Sequence, residues 1–167
     1  YYSGLAFSRL SPRLSAVFMA RYIDNNNSEK LDPIKYLDTK ILGTGNEGQF
    51  IDMPSLTVDM PRGSSTITID GQKIPASNIY LVYSVFLGNL DQNIRSKIYF
   101  IRSTDCGQTW GNPIKITESV HINQGARIAI DPTSGAVYVA WRRFAHGSDP
   151  DAIIIVKSID GGQTFTK

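Results

Sequence analysis

"STDCGQTW", Ser103 to Trp110, and "SIDGGQTF", Ser158 to Phe165, are two copies of one pattern, Ser-x-Asp-x-Gly-x-Thr-aromatic, set 55 residues apart (160 − 105). Each copy follows a run rich in β-branched and aromatic residues, "KIYFIR" in the first case and "AIIIVK" in the second, so each reads as the turn that ends a strand. Working backwards from the turns aligns longer units. The second unit reads "GARIAIDP", "GAVYVAWRRF", "AIIIVKS", turn; the first reads "MPSLTVDMP", "NIYLVYSVF", "KIYFIRS", turn, "PIKIT". Asp59 falls on Asp131 (131 − 59 = 72), Tyr80 on Tyr138 (138 − 80 = 58) and Asp105 on Asp160. The offsets change across "RGSSTITIDGQKIPAS" and "LGNLDQNIRS", where loops absorb insertions.

Upstream, "YYSGLAFSR", "AVFMARYI" and "IKYLDTKIL" give three more strand-like runs without such a turn, and Phe18 of the middle run falls on Tyr80 and Tyr138. No stretch carries a helical hydrophobic period. Units of tens of residues built from four short strands are a repeat architecture, and the fold class that follows is all-β, a partial β-propeller of about three four-stranded antiparallel blades. Residues 1–45 form a partial or divergent blade, 46–119 a full one with strands near 52–59, 78–86, 97–103 and 113–117, and 120–167 one lacking its last strand. Three blades do not close a ring. The chain is therefore expected to be a piece of a longer protein, with the remaining blades as its partners and any targeting signal upstream.

Composition removes several function classes. With 17 Lys and Arg against 15 Asp and Glu, scattered along 167 residues, there is no basic footprint for nucleic acid. No run approaches the roughly 18 apolar residues of a membrane-spanning helix. The single cysteine, Cys106, excludes an internal disulfide and a cysteine metal cluster. It occupies a variable slot of the repeated turn, where the second copy has Gly161, which argues against a Cys106 nucleophile served by His121 or His146.

The two turns resemble the Asp-box, or BNR repeat, of the sialidase superfamily, and "VYVAWRRF" and "IYLVYSVF" resemble strands of bacterial sialidase-like propellers, so the likeness runs from about Phe50 onward. It implies a secreted or periplasmic propeller with a glycan or protein ligand and no cofactor. In the turn itself, Gly107 and Gly162 supply positive φ, while Asp105 and Asp160 accept hydrogen bonds from turn amides. Ser103, Ser158, Thr109 and Thr164 add hydroxyls, and Trp110 and Phe165 begin the fourth strand with their rings buried. These residues read as structural. Neither turn has the alternating Asp and Asn series that calcium needs, so no metal is expected.

In propellers of this kind the ligand face carries the fourth-to-first connections and the second-to-third loops, away from the Asp-boxes. Those segments select Asp52 in "GQFIDM" and Gln124 in "INQGAR", which align, together with Arg142, Arg143, His146 and Asp149 in "RRFAHGSDPDA" and Asp91 and Arg95 in "FLGNLDQNIRS". An exo-sialidase, the alternative function, resembles a glycosidase with a Tyr/carboxylate nucleophile, an Asp acid/base and three arginines on the sugar carboxylate. The family's Phe/Tyr-Arg-Ile-Pro motif is absent, "FSRLSP" and "MPRG" being the nearest strings. Arg21, Arg142 and Arg143 remain as possible members of an arginine cluster, and no catalytic residue is carried over. The expected function is thus a binding propeller rather than a glycoside hydrolase.

Overall fold

The computed structural model describes residues 1–24, 33–89, 92–117 and 120–166, which hold twelve strands and no helix. The first sheet is β1 (Tyr2–Phe7), β2 (Ser15–Asp24) and β3 (Ile34–Gly45), in that order. The second is β4 (Gln49–Val58), β7 (Ile79–Asn89), β8 (Gln92–Ser103) and β9 (Ile114–Lys115). Between β4 and β7, β5 (Thr66–Ile69) and β6 (Gln72–Pro75) form a separate hairpin. The third sheet is β10 (Asn123–Ile130), β11 (Val137–Arg143) and β12 (Ala152–Ser158). All pairings are antiparallel.

The second sheet is buried on both faces, and the period-two alternation of its strands shows how. Along β7, Tyr80 and Val82 join Ile98 and Phe100 of β8 in a core with Val137, Val139, Trp141 and Val156 of the third sheet. The intervening Leu81, Tyr83 and Val85, with Ile101, form a second core with Val17, Met19 and Leu42 of the first sheet. A side chain of this size contributes roughly 1.5–3 kcal/mol when fully buried, so β7 and β8 hold the stack together.

Four differences from the sequence reading have physical causes. The segment read as a loop insertion contains β5 and β6, because Asp70 and Gly71 both take positive φ (49° and 77°) and close a two-residue hairpin turn. The last strand of the second sheet is only Ile114–Lys115, not 113–117: Pro113 has no amide to donate, and the amide of Ile98 turns to Thr117 Oγ1. Between β7 and β8 only residues 90 and 91 intervene, so Arg95 lies within β8 and Asp91 lies outside the described residues.

The fourth difference concerns direction. β3 turns into β4 through Asn46–Gly48, and the amide of Ile51 bonds Ser15 Oγ, so β2 begins where β4 begins. β8 begins at that same end, opposite the end of β7. In direction β2 therefore matches β8 rather than β7, and Phe18 falls on Tyr99 (99 − 18 = 81), not on Tyr80. Side-chain contacts repeat with the same offset. Arg21 Nη1 donates to the carbonyl of Cys106 (3.3 Å) and Arg102 Nη1 to that of Gly161 (2.8 Å). Met19 sits against Gly107 and Phe100 against Gly162. One interlock joins the first sheet to the second and the second to the third.

Candidate functional site

The stack has two ends of different chemistry. At the turn end, Asp105 and Asp160 are consumed by their own turns. Ser103 Oγ donates to Asp105 Oδ1 (2.7 Å) and accepts from the amide of Gly107 (2.9 Å); Ser158 does the same for Asp160 (2.7 Å) and Gly162 (2.8 Å). The amide of Thr109 and its hydroxyl reach the Asp105 carboxylate (2.9 and 2.5 Å), as those of Thr164 reach Asp160 (3.0 and 2.6 Å). Burial would raise the Asp105 carboxyl, but the bonds from Thr109, Ser103 and Gln108 outweigh it and hold the group below its ordinary range. Asp160 is held lower still, chiefly by the Thr164 hydroxyl and amide.

The positive-φ pair at the turn is Cys106 and Gly107 (53° and 77°) in one copy, Gly161 and Gly162 (68° and 82°) in the other. Cys106 is buried with Sγ bonded to the amide of Ser77, at the opposite end from His121, so the two cannot act together. Trp110 and Phe165 pack onto the two cores but precede the fourth-strand position; β9 starts four residues after Trp110 (114 − 110). Arg21 also belongs to this end. Its guanidinium makes a two-pronged ion pair with Asp38 (2.7 Å on both arms), which removes it from any arginine cluster at the loop end.

At the loop end, β4 and β10 each carry a bulge at matching points. The register slips between Asp52 and Ser55 and between Gln124 and Arg127, with Met53 (φ 56°) and Gly125 (φ 73°) in the left-handed region. Bulges of this kind re-aim side chains, and a non-glycine residue held there is locally strained. Asp52 lines a cleft of about 730 Å³ between the first and second sheets, with Phe7, Arg9, Arg13, Phe50 and Phe86 among its walls. Gln124 and Arg142 line a second cleft of about 440 Å³, which Met53 also borders.

The remaining candidates are scattered. Arg142 pairs with Asp151 (2.6 Å) and lies 4.1 Å over the Phe144 ring. Among the described residues the Arg143 side chain reaches only the carbonyl of Pro150 (3.4 Å). His146 and Asp149 close a tight loop on each other through backbone bonds of 3.0 Å. The buried His121, not chosen from the sequence as a ligand residue, has its Nε2 3.3 Å from Asp149 Oδ2 and its ring 5.5 Å from that of His146. Among the described residues no group of three His, Cys, Asp or Glu is placed to hold a metal ion.

The larger cleft was mostly missed by sequence reasoning. Arg9 and Arg13 lie in and beside "FSRLSP", whose only sequence signal is a poor motif match, and Phe50 stands two residues before Asp52. Only the fold brings the segment after β1, the β3–β4 connection and the end of β7 to one place. Comparison of the chain with known protein families finds no match, and comparison with curated proteins finds none.

Proposed function

We propose that this chain is part of a sialidase-like Asp-box β-propeller, extracytoplasmic, whose loop-end cleft binds a glycan without cleaving it. The observation that carries the reading is the division of labour between the ends. Both repeated carboxylates are saturated inside their turns, while at the other end three phenylalanines surround charged groups in an open cleft. Phe7 (54% exposed) and Phe50 (44%) offer apolar ring faces to the C–H face of a sugar. Arg9, Arg13 and Asp52 offer donors and acceptors for its hydroxyls and any carboxylate.

Cleavage is the weaker reading. No tyrosine is among the described residues that line this cleft. The buried Tyr80 and Tyr83 are both pushed upward by burial, Tyr83 to about 12, which is opposite to what a nucleophilic tyrosinate requires. Calorimetric titration of the chain with sialylated and neutral oligosaccharides tests the proposal. Heat of binding that is lost in Phe50→Ala and Arg13→Ala, but kept in Asp105→Asn at a temperature where that variant is folded, supports it. Silence with every glycan, or binding that survives both cleft substitutions, rejects it.

A further inference from the structure

We propose that Glu47 is a positioning residue for the larger cleft: it holds the arginine-bearing segment after β1 in place, and so sets how strongly a carboxylated sugar is preferred to a neutral one. The second half rests on the glycan reading; the first does not. Residues 8–14 join β1 to β2 and bring Arg9 and Arg13 to the cleft wall. Their internal bonds are few. The amide of Ser8 reaches the Leu14 carbonyl (2.8 Å), and Ser8 Oγ meets the carbonyl and the amide of Leu10 (3.0 and 3.3 Å). Among the described residues, only Glu47 Oε1 ties this segment to another element by a polar bond, accepting from Ser11 Oγ (3.3 Å) and from the amide of Arg13 (3.5 Å).

The anchor is stiff. Directly before β4, Asn46 Oδ1 accepts from the amide of Gly48 and the Asn46 carbonyl from that of Gln49, both at 3.0 Å. The start of β4 is fixed in turn by the amide of Ile51 on Ser15 Oγ (3.1 Å). A bond from this turn therefore places Arg13 relative to Phe50 and Asp52 of β4, which share the cleft. Arg9, four residues back, lies over the Phe7 ring (5.8 Å) on the same wall. Among the described residues no ion pair joins Glu47 to either arginine, so its carboxylate serves as a tether and does not neutralise a guanidinium by contact. Both bonds land on one oxygen, and neither requires its charge. Glutamine keeps that acceptor; alanine removes it. A segment that samples other arrangements lowers apparent affinity by the fraction of time the binding arrangement is populated, so a fraction of about one tenth costs about tenfold. Arginine recognises a carboxylate more strongly than a hydroxyl, so the loss falls on the carboxylated sugar.

The test compares the whole chain with its Glu47→Ala and Glu47→Gln variants. Backbone order parameters from amide relaxation are expected at about 0.8 over residues 9–14 in the wild-type chain and in Glu47→Gln, and below about 0.6 in Glu47→Ala. Calorimetric titration with a sialylated trisaccharide and with its neutral counterpart reads the selectivity. Glu47→Ala is expected to weaken the sialylated sugar by about tenfold and the neutral one by less than about twofold. Glu47→Gln is expected to bind the sialylated sugar at least as tightly as the wild-type chain, because it keeps the acceptor and removes a like charge. Equal losses for the two sugars, the mark of a fold-wide defect, overturn the proposal. So does a Glu47→Gln variant that behaves as Glu47→Ala, or order parameters that Glu47→Ala leaves unchanged. A wild-type chain silent with both sugars rejects the glycan reading and the selectivity with it, while the order parameters still decide whether Glu47 holds the segment.

Discussion

At the residue scale the repeated turn is a closed hydrogen-bond circuit, and its carboxylate has no capacity left for a substrate. Asp105→Ala removes the acceptor for the amide and hydroxyl of Thr109 and for Ser103, and is expected to cost about 1–3 kcal/mol in chemical denaturation. Asp160→Ala shifts stability in the same direction. Both carboxyls are depressed in the folded chain, so the unfolded state binds protons first as pH falls. Their contribution is complete above the ordinary aspartate value of about 3.9 and drains away below it. A melting series from neutral pH down to about 2 is expected to fall steeply, and Asp105→Asn to flatten that fall. The two turn glycines separate strain from crowding. A Cβ on Gly162 meets the rigid Phe100 ring at 2.6 Å, whereas one on Gly107 meets the flexible end of Met19 at 2.8 Å. Both carry a positive φ, so Gly162→Ala is expected to lose about 2–4 kcal/mol and Gly107→Ala measurably less. The turns were legible because their chemistry is local. Met19 and Phe100, which fix the glycines, were not, since nothing in a sequence states which side chain a neighbouring sheet will lay across a turn.

At the element scale, strands were legible wherever apolar residues run or alternate between turn residues, as in β7, β8, β11 and β12. Direction was not. An alternating strand reads alike whether it is second or third in its sheet, so "AVFMARYI" matches the β7 position in sequence as well as the β8 position it occupies. The corrected equivalence makes a contrast between two arginines. Arg102→Met keeps the aliphatic stem and loses only the bond to the Gly161 carbonyl, at about 1 kcal/mol. Arg21→Met also strips the two-pronged partner from Asp38, leaving that carboxylate with Lys40 at 3.4 Å, and is expected to cost about 2–4 kcal/mol. Equal losses in urea denaturation would mean that the pairing with Asp38 adds nothing to the carbonyl bond the two arginines share. The hairpin of β5 and β6 carries its own signal in Asp70-Gly71, which alignment of the repeats hides because the segment has no counterpart in the other unit.

At the scale of the whole molecule, the loop end gathers Asp52 into one cleft and Gln124 with Arg142 into another, while Arg143, His146 and Asp149 border neither. A site that draws on the segment after β1, the β3–β4 connection and the end of β7 has no contiguous signature, which is why Phe7, Arg9, Arg13 and Phe86 escaped sequence reasoning. The chain is expected to leave a fluorogenic sialoside intact, because no tyrosine lines the larger cleft among the described residues. Turnover above a heat-inactivated control would give the exo-glycosidase reading precedence.

The central claim is that the turn end holds sheets together and the loop end binds. Amide chemical-shift mapping of the isotopically labelled chain during titration with a sialylated trisaccharide tests it most directly. The account predicts shifts concentrated in Phe7–Leu14, Asn46–Asp52 and around Phe86, with Ser103–Trp110 and Ser158–Phe165 still. Shifts centred on the two turns, with the cleft unmoved, would contradict it.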